Sequence, residues 1–105
     1  MLPSNPKGPA YDLEHIQRLV GQGPISCVIT GASVEGARGL GLEQSAIVEA
    51  VLELTPACFY KSMEAEKRPG LWQDVYHLHY LSFDLYIKLQ VDPDGLAIVV
   101  QFKTR

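Results

Sequence analysis

The chain has 105 residues and a formal net charge of −3, and 47% of its residues are hydrophobic. A chain of this length is expected to form one domain that buries roughly 60 to 70% of its unfolded surface, without a disulfide framework or a structural metal. Cys27 and Cys58 match no metal-ligand spacing, which predicts reduced thiols in a cytoplasmic protein. The composition excludes low-complexity and repeat proteins, and the chain has no apolar segment typical of export or membrane insertion.

The first half of the chain predicts two helices. Residues 1–10 contain three prolines and are expected to form a flexible leader. Tyr11 to Val20 carries apolar residues at helical spacing, and a short β-prone run follows over residues 24–30. Four glycines between residues 31 and 41 predict an irregular or weakly helical connection. The clearest helix runs from Leu42 to Leu54, where it is ended by a Thr-Pro pair.

Four strand-like runs follow in the second half, and each places a lysine, a tyrosine or an amide among apolar neighbours. We expect strands at Phe59–Glu64, Leu71–Tyr80, Leu85–Val91 and Leu96–Lys103. The segment Asp92-Pro93-Asp94-Gly95 joins the last two as a hairpin, because proline fixes φ, aspartate bonds its own backbone and glycine tolerates positive φ.

Alternation of side chains predicts a shared polar face for the second and third strands. On the third strand, the apolar face is expected to carry Leu85, Ile87, Leu89 and Val91. Its polar face carries Tyr86, Lys88 and Gln90. On the second strand, the polar face carries Gln73, Val75, His77 and His79. The aromatic residues on the other side of that strand are more typical of a core than of a base-stacking platform: Trp72, Tyr76 and Tyr80.

Alternation also predicts the faces of the last strand but not the orientation of the first. On the last strand it predicts one face with Leu96, Ile98, Val100 and Phe102. The opposite face then carries Ala97, Val99, Gln101 and Lys103. On the first strand, Lys61 shares a face with Phe59 and Met63, so the pattern predicts the strand but leaves its orientation open.

These elements predict an α+β fold: an antiparallel sheet of four or more strands, with two to three helices packed on one face. The single domain is expected over residues 11–105. Residues 1–58 carry 3 basic and 6 acidic side chains, a net charge of −3, whereas residues 59–105 carry 6 of each. The sheet half is therefore the less acidic half. This charge is compatible with nucleic-acid binding but does not by itself indicate it.

The placed residues resemble a known family. Two five-residue words, Phe59-Tyr60-Lys61-Ser62-Met63 and Trp72-Gln73-Asp74-Val75-Tyr76, occur in order and are followed by Tyr86, Lys88 and Phe102-Lys103. In this respect the chain is similar to the motility quorum-sensing regulator (MqsR) family of bacterial mRNA interferases, whose fold resembles the RelE superfamily. The resemblance extends roughly from Leu13 to Lys103 and is weak over residues 21–41.

The resemblance implies a toxin of a type II toxin–antitoxin system. Such a protein is an endoribonuclease that needs no metal or other cofactor, cuts single-stranded mRNA at short GC-containing sequences, and is neutralised by an antitoxin protein encoded beside it. The family pattern assigns its active site to Lys61, Gln73, Tyr86 and Lys103. We expect further RNA contacts from Lys88, Tyr60, Met63, His77, His79 and Arg105.

Other interpretations remain open. An isolated lysine on an amphipathic strand is more often solvated than functional, so only the combined words favour a site. Two histidines at positions i and i+2 suit metal binding or acid–base work, but no third ligand accompanies His77 and His79, and exposed histidines without a role fit the pattern too. The acidic balance also allows an inactive RNA-binding or antitoxin-binding module on the same fold, and a structural protein without an RNA role ranks last.

Overall fold

A computed structural model describes residues 8–105, so most of the predicted leader lies outside the described part of the chain. Three helices are present: α1 spans Leu13–Gly21, α2 spans Gly31–Arg38 and α3 spans Gln44–Glu53. The first and last confirm the predicted helices. The glycine-rich connection, expected to be irregular or weakly helical, forms α2, which begins where the Thr30 side chain accepts a hydrogen bond from the Ser33 N–H.

Helix α2 packs closely on the last strand, and a glycine makes the approach possible. A Cβ atom at Gly36 would overlap the carbonyl oxygen of Phe102, whereas a Cβ at Gly31 would meet nothing within 4 Å. The lack of a side chain at Gly36 therefore brings the helix backbone against the strand. Gly36 weakens the helical pattern in the sequence, but it is required for the close packing of this helix on the strand.

The sheet has five strands: β1 Cys27–Ile29, β2 Phe59–Glu64, β3 Trp72–Tyr80, β4 Phe83–Val91 and β5 Ala97–Thr104. Their order is β1-β5-β4-β3-β2. Strands β2 to β5 are antiparallel, as predicted, and β4 and β5 form the expected hairpin. The sheet as a whole is mixed rather than antiparallel throughout, because β1 pairs with β5 in parallel. Since α2 and the later elements lie between β1 and β5 in the chain, the two strands can run in the same direction.

Two register shifts decide which side chains share a face. The β4–β5 pairing shifts after Lys88, which pairs with Gln101, so that Leu89 pairs with Val99 and Val100 is the extra residue. As a result, Val99 and Phe102 both lie in the core, and the predicted grouping of Phe102 with Val100 was wrong. Strict alternation cannot anticipate a bulge.

A second shift occurs in β2 between Phe59 and Lys61. Phe59 pairs with the buried Tyr76 and packs against the core, whereas Lys61 pairs with Val75 on the other side of the sheet. The expected common face of Phe59 and Lys61 was therefore wrong, and the bulge settles the orientation that the sequence left open.

All three helices contribute buried residues to one core with the sheet. Its members include Ile16, Val20, Ile47, Val51, Leu85, Ile87, Leu89, Val99 and Phe102. Tyr76 and Tyr80 also lie in this core, which confirms the sequence prediction for them. We call the side of the sheet that these helices pack on the covered face and the other side the open face. The α+β class and the helix layer on one face are both confirmed.

A buried carboxylate fixes the start of the described chain. Asp74 is fully buried and accepts hydrogen bonds from the backbone N–H groups of Ala10, at 2.9 Å, and Tyr11, at 3.0 Å. The Tyr11 hydroxyl in turn donates to the carbonyl oxygen of Trp72 at 2.6 Å. The segment before α1 is thus attached to β3 by charged and neutral hydrogen bonds. No helix among residues 8–105 is long and apolar enough to cross a bilayer.

Candidate functional site

Cross-strand pairing arranges the polar residues of the open face in three rows. The aromatic row consists of Tyr60, His77, Tyr86 and Lys103. The lysine row consists of Lys61, Val75, Lys88 and Gln101. The glutamine row consists of Met63, Gln73 and Gln90. Successive rows are two residues apart along a strand, or about 6.6 Å, so a single extended polymer can contact all three.

Three rings and an ammonium group make up the aromatic row. The Tyr60 and His77 rings are stacked, with centroids 4.2 Å apart and planes at 19°. The His77 and Tyr86 centroids are 6.2 Å apart, and the Lys103 Nζ lies 5.0 Å from the Tyr86 centroid. Tyr60 is 55% exposed. The row therefore offers an aromatic surface to solvent with a positive charge at its β5 end.

Burial and charge shift two protonation equilibria in this row. Burial lowers the pKa of His77 below its ordinary value, and the charges of Arg105 and Lys61 lower it further. Burial also raises the pKa of Tyr86, with a smaller contribution from Tyr60. Near pH 7 the imidazole is therefore neutral and able to accept a proton, while the phenol keeps its proton and can donate a hydrogen bond.

The lysine row lies next to the aromatic row. Lys88 Nζ is 5.9 Å from the Tyr86 centroid, and Lys61 Nζ is 5.5 Å from the Tyr60 centroid. Burial lowers the pKa of Lys88, and the charges of Lys103 and Lys61 add to that effect. Within residues 8–105, these three lysines have no carboxylate within 4.0 Å of their ammonium groups. Their charges are thus available to an anion.

A cavity of about 300 Å³ lies beside the glutamine row. Gln73 is only 9% exposed, and its Nε2 donates to the Oε1 of Gln90 at 2.8 Å. The Nε2 of Gln90 donates to Asp92 Oδ1 at 3.2 Å, and Arg68 contacts the same oxygen at 3.2 Å. Gln73 and Gln90 both line the cavity, and a chain of hydrogen bonds links their side-chain amides to the Asp92 carboxylate.

The four residues assigned to the active site are not equally close. Tyr86 and Lys103 are direct cross-strand neighbours, and Lys61 lies one row away on β2. Gln73 lies four residues from His77 on β3, roughly 13 Å along the strand, and inside the cavity. The structure therefore joins Tyr86 and Lys103 directly, places Lys61 and Lys88 beside them, and sets Gln73 apart.

The residues expected to contact RNA fall into two groups. Tyr60, Met63, Lys88 and His77 lie on the open face within the three rows. His79 lies at the end of β3, where its Nδ1 is 2.9 Å from Asp84 Oδ1, and the Arg105 N–H donates to the Asp84 carbonyl oxygen. His79 pairs with a carboxylate instead of sharing a site with His77. The hydrogen bond from His79 lowers the pKa of Asp84.

Sequence reasoning missed several polar residues that support this face. Gln90 lies on the predicted face, but the sequence predicted no place in the site for Gln90 or Arg68, and it predicted only turn chemistry for Asp92. Asp74 is buried, and nothing local in the sequence predicts that it accepts hydrogen bonds from the backbone of Ala10 and Tyr11. Contacts between residues 17 to 64 positions apart cannot be read from spacing.

A second cavity lies away from the open face. It has a volume of about 590 Å³ and lies between the segment before α1 and the end of α3. Tyr76 lines this cavity. Its hydroxyl is buried and has no hydrogen-bond partner among residues 8–105, and burial raises the pKa of Tyr76 to about 12. Within residues 8–105, no three His, Cys, Asp or Glu side chains are grouped so that they could hold a metal ion.

Comparison with known proteins identifies the family. The model of a family described as "Motility quorum-sensing regulator, toxin of MqsA" matches residues 8–104. The mRNA interferase toxin MqsR of Escherichia coli (strain K12) is 29% identical over 97 residues, which cover 92% of this chain and 95% of that protein. The match spans both words and all five strands, and the chain therefore belongs to the motility quorum-sensing regulator family.

Proposed function

We propose that this protein is the toxin of a type II toxin–antitoxin system and acts in the cytoplasm as a metal-independent endoribonuclease. It cleaves single-stranded mRNA at short GC-containing sequences. The family match and the name of the Escherichia coli relative support a toxin with mRNA interferase activity. The observation that carries the proposal is a group of three lysines that have no carboxylate partner among residues 8–105. Lys88 and Lys103 lie beside the Tyr86 ring, and Lys61 lies beside the Tyr60 ring.

The proposed reaction uses the substrate's own nucleophile. The 2′-OH loses its proton and its oxygen attacks the adjacent phosphorus, forming a 2′,3′-cyclic phosphate, while the bond to the 5′-oxygen breaks and that oxygen leaves as a 5′-OH after taking up a proton. The protein must align the hydroxyl, transfer two protons and stabilise the charge on the phosphoryl oxygens. None of these tasks calls for a metal ion.

The open face has groups suited to each task. Ammonium groups of Lys61 and Lys103 act as point charges on the phosphoryl oxygens. Tyr86, whose raised pKa keeps its hydroxyl protonated, donates a hydrogen bond to the same group or to the leaving oxygen. Lys88, whose pKa is lowered, is a proton carrier between them. Gln73 orients the RNA from its cavity.

The aromatic row supports binding of a single strand rather than a duplex. Bases stack on aromatic side chains only when they are unpaired, and the exposed Tyr60 ring on His77 forms such a platform. Met63 lies in the glutamine row, and His79 and Arg105 lie near Asp84, on the other side of the aromatic row. The antitoxin is expected to bind this protein tightly, since free toxin would degrade the host's own transcripts.

The proposal is tested by incubating purified protein with a defined single-stranded RNA in EDTA and mapping the cut ends. Cleavage that survives chelation and leaves 2′,3′-cyclic phosphate and 5′-OH ends is expected. Loss of activity in EDTA with rescue by one added cation would contradict the metal-independent mechanism. Binding of RNA without cleavage in any buffer would favour the inactive RNA-binding module.

A further inference from the structure

The cavity beside Gln73 has the features of a binding site in its own right. We propose that it holds one unpaired nucleobase bearing an exocyclic amine, and that Asp92 and Gln90 are positioning residues that fix which hydrogen bond Gln73 offers to that base. This inference rests on the proposed function, because it assumes that RNA is the ligand of the open face.

The hydrogen bonds around Gln73 form a relay with one direction. Asp92 Oδ1 accepts from Gln90 Nε2 at 3.2 Å, and Gln90 Oε1 accepts from Gln73 Nε2 at 2.8 Å. Gln73 and Gln90 are 9% and 5% exposed, so the amides are held inside the sheet surface rather than free to rotate in water. Arg68, on the loop side, donates a hydrogen bond to the Asp92 carboxylate at 3.2 Å.

The direction of the relay follows from the chemistry of its end group. An ionised carboxylate only accepts hydrogen bonds, so Gln90 must turn its NH₂ group toward Asp92 and its carbonyl oxygen toward Gln73. Gln73 must then turn its NH₂ group toward Gln90. Its own carbonyl oxygen, which has no donor among residues 8–105, is left as the acceptor for a ligand in the cavity.

The cavity suits a single base in size and surroundings. Its volume of about 300 Å³ is at the lower end of the range for small-molecule sites. The apolar part of its lining includes Met63 and Leu71. Its charged residues are three cations and one carboxylate: Lys67, Arg68, Lys88 and Glu66. Because Lys88 belongs to both the cavity and the lysine row, a base in the cavity would be linked to a phosphate held by the lysines.

The fixed acceptor predicts a preference between two bases of the same size. Cytosine carries an amine donor at position 4, where uracil carries a carbonyl acceptor. The Gln73 carbonyl oxygen attracts the first and repels the second, and leaving a buried acceptor unpaired is costly. Stacking on Tyr60 and His77 contributes about equally to the binding of cytosine and of uracil. A difference in affinity between the two bases therefore reports on the cavity.

The test compares binding of uniform 2′-O-methyl hexanucleotides of cytosine and uracil, which cannot be cleaved because they lack the 2′-OH. Wild-type protein is expected to bind the cytosine strand about 10-fold more tightly, in line with the discrimination provided by amide–base contacts. Asp92→Asn is expected to reduce this ratio to within about 2-fold, because an asparagine can present either oxygen or nitrogen and the relay loses its direction.

The matched control is Asp94→Asn, in the same turn. It removes the same charge, but the Asp94 Oδ1 contacts only the Leu96 N–H at 3.5 Å, outside the relay. This variant is expected to keep the full cytosine preference. Gln90→Met, which interrupts the relay with a side chain of similar length, provides a second variant and is expected to lose the preference as Asp92→Asn does.

Three outcomes would overturn the inference: equal binding of both strands by wild-type protein, full preference retained in Asp92→Asn and Gln90→Met, or equal loss in Asp94→Asn. Cleavage of an unmodified RNA is measured in parallel. Absence of cleavage by wild-type protein contradicts the proposed nuclease, whereas the cytosine-to-uracil binding ratio decides the nucleobase site separately.

Discussion

The two faces of the sheet differ in burial and in charge. On the covered face, apolar side chains such as Ile87 and Phe102 are fully buried, and Gly36 lets α2 approach β5 closely. On the open face, three lysines lie near one another without a carboxylate partner in the described chain. Clustered like charges reduce stability, so the covered face must stabilise a fold whose other face is arranged for an anionic ligand.

The comparison separates residues that hold the fold from residues that act on a ligand. Substitutions on the open face should change RNA cleavage or binding with little effect on the free energy of unfolding. Substitutions on the covered face should do the reverse.

The largest effect is expected for Lys61→Ala and Lys103→Ala. Each removes an ammonium group from the proposed phosphate site, and loss of one charge-stabilising group of this kind reduces turnover by about 100- to 1,000-fold. The midpoint of thermal unfolding should stay within a few degrees of that of the wild type, because neither side chain is buried in the core. Initial rates on a defined single-stranded RNA measure the first effect and circular dichroism the second.

Arg18→Ala is the control for this pair. It removes one positive charge from the exposed side of α1, where Arg18 contacts only the His15 ring, at 3.5 Å. We expect cleavage close to the wild-type rate. Wild-type rates in Lys61→Ala or Lys103→Ala, with unchanged stability, would show that this lysine is only solvated and has no role in cleavage.

The next effect concerns the covered face, where Gly36→Ala should reduce the free energy of unfolding by about 1 to 3 kcal/mol, since the new methyl group overlaps the Phe102 carbonyl. Gly31→Ala, in the same helix with open space around it, should leave stability unchanged or raise it by about 0.4 to 1 kcal/mol. Urea unfolding measures both. Equal stability of the two variants would show that α2 is not closely packed on β5.

The sequence predicted the open face better than it predicted the elements that support it. Strand β4 alternates without interruption, so Tyr86 and Lys88 were placed correctly, and the two words located Lys61 and Gln73 on neighbouring strands. Bulges at Tyr60 and Val100 reversed the expected faces in β2 and β5, because a single extra residue has no signature in composition.

The remaining differences come from long-range contacts. The segment of α2 was expected to be irregular or weakly helical because glycine lowers helix propensity, yet Gly36 is needed only because Phe102, far along the chain, lies beneath it. The parallel partner of β1 and the relay from Gln73 through Gln90 to Asp92 depend in the same way on the completed sheet. Local patterns specify elements, and tertiary contacts specify how their side chains are used.

A smaller effect is expected from salt. Few cations lie on the open face, so about two to four phosphate contacts are expected, each contributing a slope of roughly −0.7 to log K against log salt for a single strand. A total slope between about −1.4 and −2.8 follows. Lys88→Ala should make it shallower by about 0.7, whereas Arg18→Ala should not change it. A slope near zero would contradict binding of RNA through the lysine row.

The smallest effect separates the charge of His77 from that of the lysines. Burial, Arg105 and Lys61 lower its pKa, so the ring is neutral at pH 7.8 and gains its proton only below the ordinary value of about 6.5. The groups that face it are Tyr60 and Lys61 on β2, Tyr86 on β4, and Lys103 and Arg105 at the end of β5.

Two opposite trends follow from this lowered pKa as the pH falls from 7.8 to 5.5. RNA affinity should rise by up to about 5-fold, because a protonated imidazole gains an exposed phosphate contact. Stability should fall, because below pH 6.5 the unfolded chain binds the proton more readily than the folded one, and the loss continues until the pH passes the folded pKa. His77→Gln should remove both trends, and His15→Gln on α1 should remove neither. If His77→Gln keeps the wild-type rise in affinity, the imidazole lies outside the RNA path and the open face acts through its lysines, Tyr86 and the glutamine row.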